Sequence, residues 1–266
     1  MITNKRIMKF NMTMKKLILL FILLVPITTK AQISVMFREY SPDNLDNFIG
    51  LTGGIGLVSY TGTFSFFSKV DCEPYNFSAG TQVNVLFGLR AEYKISKQFY
   101  LYGSLLYEGR SAKFDPIDYS GFVFAGDSKP LEPLTLSQEL EAKINVFSIS
   151  PMIKYRPFNF DLGLVVGPSF AFIISDKINA TESIVQPMEL YYNNGEKKRV
   201  IHSGAIESKN TFLLDLKFGL SCGFMLTKRV KISPEIFYVL PLMNVTSDDD
   251  WKISSIQFLL SLSYAF

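Results

Sequence analysis

The sequence is poor in the residues that most metal and nucleophilic active sites use. It has one histidine, His202, and two cysteines, Cys72 and Cys222, among 266 residues. No cysteine–histidine cluster has the spacing of a zinc site, and neither a Walker sequence nor GxGxxG follows a strand-like segment, so zinc and nucleotide binding have no support. Two cysteines do not make a disulfide framework. A bond between them stays open, although the apolar setting of Cys222 favours a free, buried thiol.

The sequence also lacks a hydrophobic run of about 18 residues, so it predicts no membrane-spanning helix of the usual kind. The apolar run 17–25 is shorter, follows two lysines and is followed by small residues up to Ala31. This order is typical of a secretory signal peptide, and Gln32 after the cut disfavours a lipoprotein. We therefore expect a signal peptide over 1–31 and a periplasmic lead-in over 32–47.

The apparent excess of basic residues belongs to this leader. The segment up to Ala31 contains six Lys and Arg and no acid, so its removal changes the formal charge from +3 to −3. A slightly acidic mature chain gives no reason to expect a nucleic-acid partner, because such partners attract basic surfaces.

Aromatic residues are abundant, with 24 Phe and 13 Tyr, and the end of the chain places them at every second position. Over Trp251–Phe266 the residues between are mostly small or polar, which is the period of a β-strand with two different surroundings. A soluble strand usually has about 5–6 residues, whereas a tilted strand crosses a bilayer in about 9–11 with interfacial ends. Taken alone, the segment also fits a large soluble sandwich.

Seven further segments share this alternation. Together they predict eight strands: Phe48–Tyr60, Val83–Ile95, Gln98–Glu108, Lys143–Arg156, Phe160–Ile174, Thr211–Leu226, Val230–Leu240 and Trp251–Phe266. The connectors alternate between about two to four residues and roughly ten to thirty-five. Outer-membrane barrels have short periplasmic turns and longer extracellular loops in this way. The sequence thus predicts an all-β, antiparallel up-and-down barrel over 48–266 in the outer membrane of a Gram-negative bacterium, with both termini periplasmic.

In such a barrel the apolar face contacts lipid and polar side chains fill a narrow lumen, because every backbone polar group must be bonded within a closed sheet. The charged residues predicted to point inward have both signs in near balance: Arg90, Glu92, Lys94, Glu108, Lys154, Asp161, Asp215, Lys217, Lys231 and Glu235. We expect an ion-paired lumen that is filled throughout, with a continuous water path as the alternative.

Three prolines fit this scheme badly. Pro151, Pro168 and Pro234 fall inside predicted strands, and a closed barrel has no free edge where a missing N–H is tolerated. Bulges, strand ends or shifted boundaries would accommodate them. A further hairpin near 121–125 would raise the strand number from eight to ten.

Several segments carry a family resemblance, namely the leader ending in Lys-Ala-Gln, ISPMIKYRP, GLVVGPSF and LLSLSYAF. With them, 48–266 resembles the PorT-type outer-membrane β-barrel family of Bacteroidota and, in architecture, the OmpA/OmpX eight-stranded barrels. The resemblance implies insertion by the barrel-assembly machinery. The last strand is similar to the signal which that machinery recognises, through Phe258, Leu260, Leu262, Tyr264 and Phe266. A role accessory to protein secretion is an analogy at the level of the fold.

Candidate sites outside the lumen have little support. His202, Ser203 and Glu207 are the residue types of a catalytic triad, but triads are recognised by geometry and not by proximity in sequence. The acidic run 248–250 offers oxygen ligands to Ca²⁺, and the run 196–199 offers cations to lipopolysaccharide phosphates. Solvated loops explain each more simply, so we predict no catalytic residue, metal or cofactor.

Three functions remain open. The first is a non-enzymatic envelope protein whose extracellular loops bind a partner, a surface glycan or a component of a secretion or uptake complex. The second is a pore for small solutes or ions, and the third is an outer-membrane enzyme that modifies lipid A. Long loops of mixed polarity favour the first, because rigid scaffolds commonly carry binding residues on loops.

Overall fold

The computed structural model describes residues 47–66, 75–124, 131–158, 160–187, 189–248 and 250–266. The predicted signal peptide, the lead-in before residue 47, Cys72 and Asp249 lie outside these residues. Within the described part, no helix has the length and apolar character needed to cross a membrane.

Twelve β-strands occur among the described residues, and all their pairings are antiparallel. They are β1 (Phe48–Phe66), β2 (Tyr75–Lys94), β3 (Phe99–Gly109), β4 (Ala112–Phe114), β5 (Ile117–Phe124), β6 (Leu131–Tyr155), β7 (Leu162–Gln186), β8 (Lys198–Gly204), β9 (Phe212–Cys222), β10 (Phe224–Met225), β11 (Val230–Pro241) and β12 (Trp251–Ala265). Eight of them pair in the order β1, β2, β3, β6, β7, β9, β11 and β12, and β12 returns to β1. The predicted eight-stranded antiparallel barrel is confirmed.

The two ends of the barrel differ. Short turns join β2 to β3, β6 to β7 and β10 to β11 at one end, and Phe48 and Phe266 lie at this same end. We call it the turn end. At the other end, β6 and β7 continue far beyond the ring, since each has 25 residues. A strand of 25 residues is roughly 80 Å long.

The strands predicted from the sequence leave 109–142 and 175–210 as long connectors, and this is largely wrong because strands occupy much of both segments. β5 pairs with residues 131–138 of β6, and β8 pairs with residues 178–183 of β7, which in both cases is the part of the strand far from the turn end. The result is a four-stranded sheet in the order β5-β6-β7-β8, which we call the upper sheet. The hairpin expected near 121–125 exists as β5 and β6, but it lengthens this sheet and leaves the ring at eight strands.

The close packing of the narrow ring explains glycine at two positions. A Cβ at Gly54 would collide with the carbonyl oxygen of Phe258 in β12, and one at Gly88 would collide with that of Leu105 in β3. Only a residue without a side chain lets these strands approach so closely.

All three misfit prolines lie inside strands, at points where a ladder is interrupted. Between β6 and β7, the register passes from Ile149 opposite Phe170 to Ile153 opposite Val166 with no pair formed in between. Pro151 and Pro168 occupy the middle of this gap and therefore face each other. Because neither has an N–H, their opposition confines the loss of hydrogen bonds to one point. Pro234 stands where the β9–β11 ladder stops.

Candidate functional site

Each long strand exchanges its apolar and polar faces at one level. In β6 the outward side chains of Phe147, Ile149 and Ile153 are apolar and 39–40% exposed. Beyond Phe147 the outward positions become polar, as at Lys143, and the inward ones apolar, as at Ile144. We call the part from the turn end to Phe147 the belt zone and the part beyond it the upper zone.

The belt-zone interior contains an ion-paired cluster next to the turn end. Glu92 accepts hydrogen bonds from Lys154 Nζ at 3.0 Å and from Lys231 Nζ at 2.6 Å. Arg90 contacts the same carboxylate at 2.8 Å and reaches Glu235 at 2.5 Å. All five side chains are at most 1% exposed. Buried charges of this kind are stable only when each has a counter-charge and further hydrogen bonds.

Other buried groups complete this first cluster. Asp161 binds both lysines, at 2.7 Å from Lys154 and 3.1 Å from Lys231. The hydroxyl groups of Tyr102, Ser221 and Ser261 donate to Glu235 at 2.9–3.2 Å. Donors from six different strands of the ring thus hold the carboxylates of Glu92, Asp161 and Glu235 in place.

A second charged cluster lies further from the turn end, beyond a layer of buried apolar side chains. The apolar layer consists of Leu86, Tyr102, Leu106, Met152, Val165, Phe237 and Leu259. In the second cluster, Arg110 lies 3.1 Å from Glu108 and 2.8 Å from Asp215. Ser148 and Gln257 donate to Glu108 at 2.6 and 3.2 Å. The alternation of charged and apolar layers fills the lumen.

The structure places the ten predicted lumen charges as follows. Nine are buried, and Lys94, at the end of β2, is half-buried. Lys217 has no hydrogen-bond partner for Nζ among the described residues and lies 4.9 Å from the centre of the Phe237 ring. Sequence reasoning missed Arg110, because that residue was assigned to a connector. Extending the alternation of β3 by one step would have found it.

The interior of the upper zone is mainly apolar next to the belt zone, and its buried polar pair Gln138 and Glu182 lies further along the upper sheet. Its buried cluster is centred on aromatic rings, with Tyr60 5.1 Å from Trp251 and 5.4 Å from Phe114 between ring centres. The Tyr60 hydroxyl donates to the backbone oxygen of Arg110. This zone therefore has the core of a soluble β-protein, with polar residues on its outer face.

A pocket of about 480 Å³ opens on the inner face of the upper sheet. Its floor is aliphatic and its rim is aromatic and polar, and it is lined by Leu134, Leu136, Glu182, Ile184, Leu190, Tyr191, Tyr192, Asn193, Asn194 and Arg199. The segment between β7 and β8 covers it with a tight turn, in which Gly195 has a positive φ of 78° and its N–H bonds Tyr192. Ligand sites commonly combine such an apolar floor with a few polar groups.

A buried carboxylate organises this pocket. Glu182 accepts hydrogen bonds from Tyr192 at 2.8 Å, from Gln138 at 3.0 Å and from Arg199 at 2.9 Å. Burial by itself raises the pKa of Glu182, but these hydrogen bonds and the charge of Arg199 outweigh it and hold the pKa below its usual value. Burial and the bond to Glu182 raise the pKa of Tyr192 to about 12. No feature of the sequence pattern alone pointed to this group.

The other candidate residues do not assemble into a site. His202 pairs with Ala180 and Ser203 with Asn179, so their side chains leave opposite faces of β8. Ser203 donates to Asn179 at 2.8 Å, and Glu207 is exposed. A nucleophile and its base must be within hydrogen-bonding reach, and these two are not.

The acidic and basic runs, and Cys222, are also placed by the structure. Among the described residues, no group of three or more His, Cys, Asp or Glu is arranged to hold a metal ion. In the basic run, Lys198 pairs with Glu139 at 2.8 Å and Lys197 lies over the Tyr191 ring at 5.3 Å. Cys222 is a half-buried free thiol.

Comparison with solved structures finds other outer-membrane proteins. The chain is similar to Ail, the attachment invasion locus protein of Yersinia pestis, with 10% identity and a TM-score of 0.33 over 83% of this chain and 99% of that one. Neisserial surface protein A gives 10% identity and a TM-score of 0.32 over 83% and 97%. The outer membrane protease OmpT of Escherichia coli gives 10% and 0.30 over 85% and 98%. Scores this low carry no functional argument.

The sequence itself identifies the family. Residues 41–247 match the model of the outer membrane protein β-barrel domain, and no curated protein matches the chain. The match names this broad family and not the narrower PorT-type one. Since it covers most of the chain and agrees with the closed eight-stranded ring, the protein belongs to the outer membrane protein β-barrel domain family.

Proposed function

We propose that the protein is a non-enzymatic binding protein of the outer membrane, in which the barrel is an anchor and the upper sheet binds a partner or an envelope component. The turn end, with both termini, then faces the periplasm, and the upper zone lies outside the cell. A component of a secretion or uptake complex is one such partner. The barrel-assembly machinery acts earlier, during insertion, through the C-terminal strand.

One observation carries this proposal: β6 and β7 continue well beyond the belt zone, where they form a four-stranded sheet with β5 and β8. Crossing a bilayer needs about 9–11 residues per strand, and these strands have 25. The additional residues are unnecessary for anchoring. They hold the pocket around Glu182 on a rigid support, away from the belt.

The pore has less support than the binding protein. Lys154, Lys231 and Arg90 in the lumen are at most 1% exposed, so water does not reach these three cations of the first charged cluster. Conduction would require this network and the apolar layer above it to open. We therefore expect no stepwise conductance from the purified protein in planar bilayers, and single-channel steps would favour the pore.

The enzyme also has less support, because His202 and Ser203 point to opposite faces. Replacing His202 by Ala should leave lipid A modification in the host cell unchanged. A change in the acylation pattern of lipid A would favour catalysis over binding.

Photo-crosslinking in intact cells tests the binding function. A photoreactive phenylalanine replaces Tyr191, whose side chain is 54% exposed at the pocket rim, and the control replaces Lys97 in a short turn. We expect a discrete crosslinked species from position 191 that is absent from position 97. Crosslinking of equal extent at both positions would contradict the proposal. The absence of any crosslink at position 191, in growing cells that express the protein, would also contradict it.

A further inference from the structure

A row of lysines marks the boundary between the belt zone and the upper zone. Lys143 of β6 and Lys177 of β7 are directly opposite each other in the sheet, and both side chains are exposed on the outer face. Like charges in opposite positions of an antiparallel pair are destabilising. An anion close to both ammonium groups would remove this repulsion.

The protein supplies little of this compensation itself. Lys143 Nζ lies 3.7 Å from Glu141, and the two side chains are 53% and 27% exposed, so water screens the pair. Lys177 has no ion pair with any residue in the described part of the chain. A third exposed lysine, Lys113 of β4, is opposite Glu141 on the other side. Of these three lysines, Lys143 alone forms an ion pair with a carboxylate of the described residues.

The position of the row indicates what the missing anion is. Directly below the lysine pair, Asn145 donates to Ser175 at 2.9 Å, and the next outward pair below is Phe147 opposite Phe172. From Lys143 to Phe147 is about 13 Å along the strand, and less along the membrane normal because the strands tilt. Aromatic residues of barrels lie at the membrane interface, so the lysines lie at the depth of lipid headgroups.

We propose that Lys143 and Lys177, assisted by Lys113, bind a phosphate group of a lipid whose acyl chains pack against the belt below. With the orientation given under Proposed function, on which this assignment depends, the lipid is the phosphorylated glycolipid of the outer leaflet. The ammonium groups donate charge-assisted hydrogen bonds to phosphate oxygens, which removes the repulsion between the paired lysines. The acyl chains contact the rings of Phe147 and Phe172.

This site differs from the basic run 196–199 that the sequence suggested for the same ligand. In that run, Lys197, Lys198 and Arg199 are already engaged with Tyr191, Glu139 and Glu182. That run also lies at the far end of the upper sheet. At headgroup depth, Lys177 of β7 has no ion pair among the described residues, and Lys143 of β6 has only the long, exposed pair with Glu141.

Lipid retention by the purified, detergent-solubilised protein tests the site. Native mass spectrometry measures binding of bisphosphorylated lipid A and of the same lipid after removal of its phosphates. For K143Q/K177Q we expect at least a tenfold weaker binding of the phosphorylated lipid, since each basic residue near a membrane surface contributes roughly a fivefold factor. K97Q/K228Q removes the same charge from the turn end and should bind like the wild type. K143R/K177R keeps the charge and should retain binding.

Each outcome decides the proposal. Equal binding of the two lipids by the wild type, or unchanged binding by K143Q/K177Q, would overturn it. Displacement of the lipid by millimolar inorganic phosphate would also overturn it, because a free phosphate would then be the ligand. Heat-dependent mobility on gels verifies that each variant is folded. Lipid retention is measured independently of crosslinking at Tyr191. A failure of the lipid site and a failure of the proposed binding function are therefore distinguishable.

Discussion

The belt zone and the upper zone are made by the same strands with opposite chemistry. In the belt zone Ile149 points outward and Lys154 inward, whereas in the upper zone Lys143 points outward and Ile144 inward. The same alternation therefore serves a lipid-facing barrel and a water-facing sheet. An alternating strand shows that its two faces have different surroundings, and the neighbouring residues decide which face contacts lipid.

The largest expected difference between the zones is in the stability lost when one carboxylate of an ion pair is made neutral. In the belt zone, Glu92→Gln leaves Lys154 and Lys231 without their main counter-charge, and removal of one partner from a buried pair costs about 3–5 kcal/mol. In the upper zone, Glu139→Gln breaks an exposed pair with Lys198, which should cost less than about 1 kcal/mol. Denaturant unfolding in micelles measures both. Losses of similar size would contradict the distinction between the zones.

The outer face should respond to a new lysine according to depth. Ile149→Lys places a charge against lipid, between the interfacial Phe147 and the midplane, where a lysine would cost about 2–4 kcal/mol, so we expect a loss of about 1–3 kcal/mol. Ser137→Lys is made on the same strand and the same face, but in the upper zone, and should change stability by less than about 0.5 kcal/mol. Unfolding from lipid vesicles compares the two variants. A cost at position 137 as large as at 149 would place both residues in the membrane.

Removing the two opposed prolines should strengthen the belt zone. In the double variant Pro151→Ala and Pro168→Ala, two N–H groups become available to opposing carbonyl groups, and a hydrogen bond contributes about 0.5–1.5 kcal/mol. We expect an unfolding free energy higher by about 1–2 kcal/mol, measured in the same micelles. Pro157→Ala, in a turn, is the control and should have no such effect. A loss of stability in the double variant would mean that the prolines relieve strain at this point.

Acid should loosen the pocket before it affects the belt zone. The pKa of Glu182 is lower in the folded protein than in the unfolded chain, so its stabilising contribution is present above the usual Glu value of about 4.3 and is lost as the pH falls further. Hydrogen exchange at 189–199, corrected for intrinsic rates, should therefore increase between about pH 5 and pH 3, while β12 stays protected. Glu182→Gln should abolish this pH dependence. Uniform protection across the range would contradict it.

The sequence was sufficient for the ring because lipid imposes a simple rule on each strand. The eight segments from Phe48 to Phe266 were found by alternation, and the short turns gave their pairing. The upper sheet was not found, because its outer face is polar and its inner face includes small residues such as Ala142 and Ala180. The average composition of such segments is polar and resembles that of a loop. Their strand conformation becomes evident only from their pairing with a neighbouring strand.

The candidate sites show the same limit. The ten lumen charges were predictable from inward positions within strands, but the partners of each were not, since Glu92 and Lys231 are 139 residues apart. The group around Glu182 brings together residues from β6, β7, β8 and a tight turn. The opposed lysines of β6 and β7 depend on the register of two strand segments that the sequence assigned to connectors. Register is a tertiary property that a single strand does not encode.

Depth-dependent fluorescence along the outer face of β6 tests the exchange of faces most directly. In a variant with Cys72 and Cys222 replaced by Ser, single cysteines at positions 139, 143, 149 and 153 carry an environment-sensitive dye, and the protein is reconstituted in vesicles with brominated lipids. We expect strong quenching at 149 and 153, little at 143 and none at 139. Quenching at 139 as strong as at 149 would show that the outward face of β6 meets lipid along its whole length, and the division into belt and upper zones would be wrong.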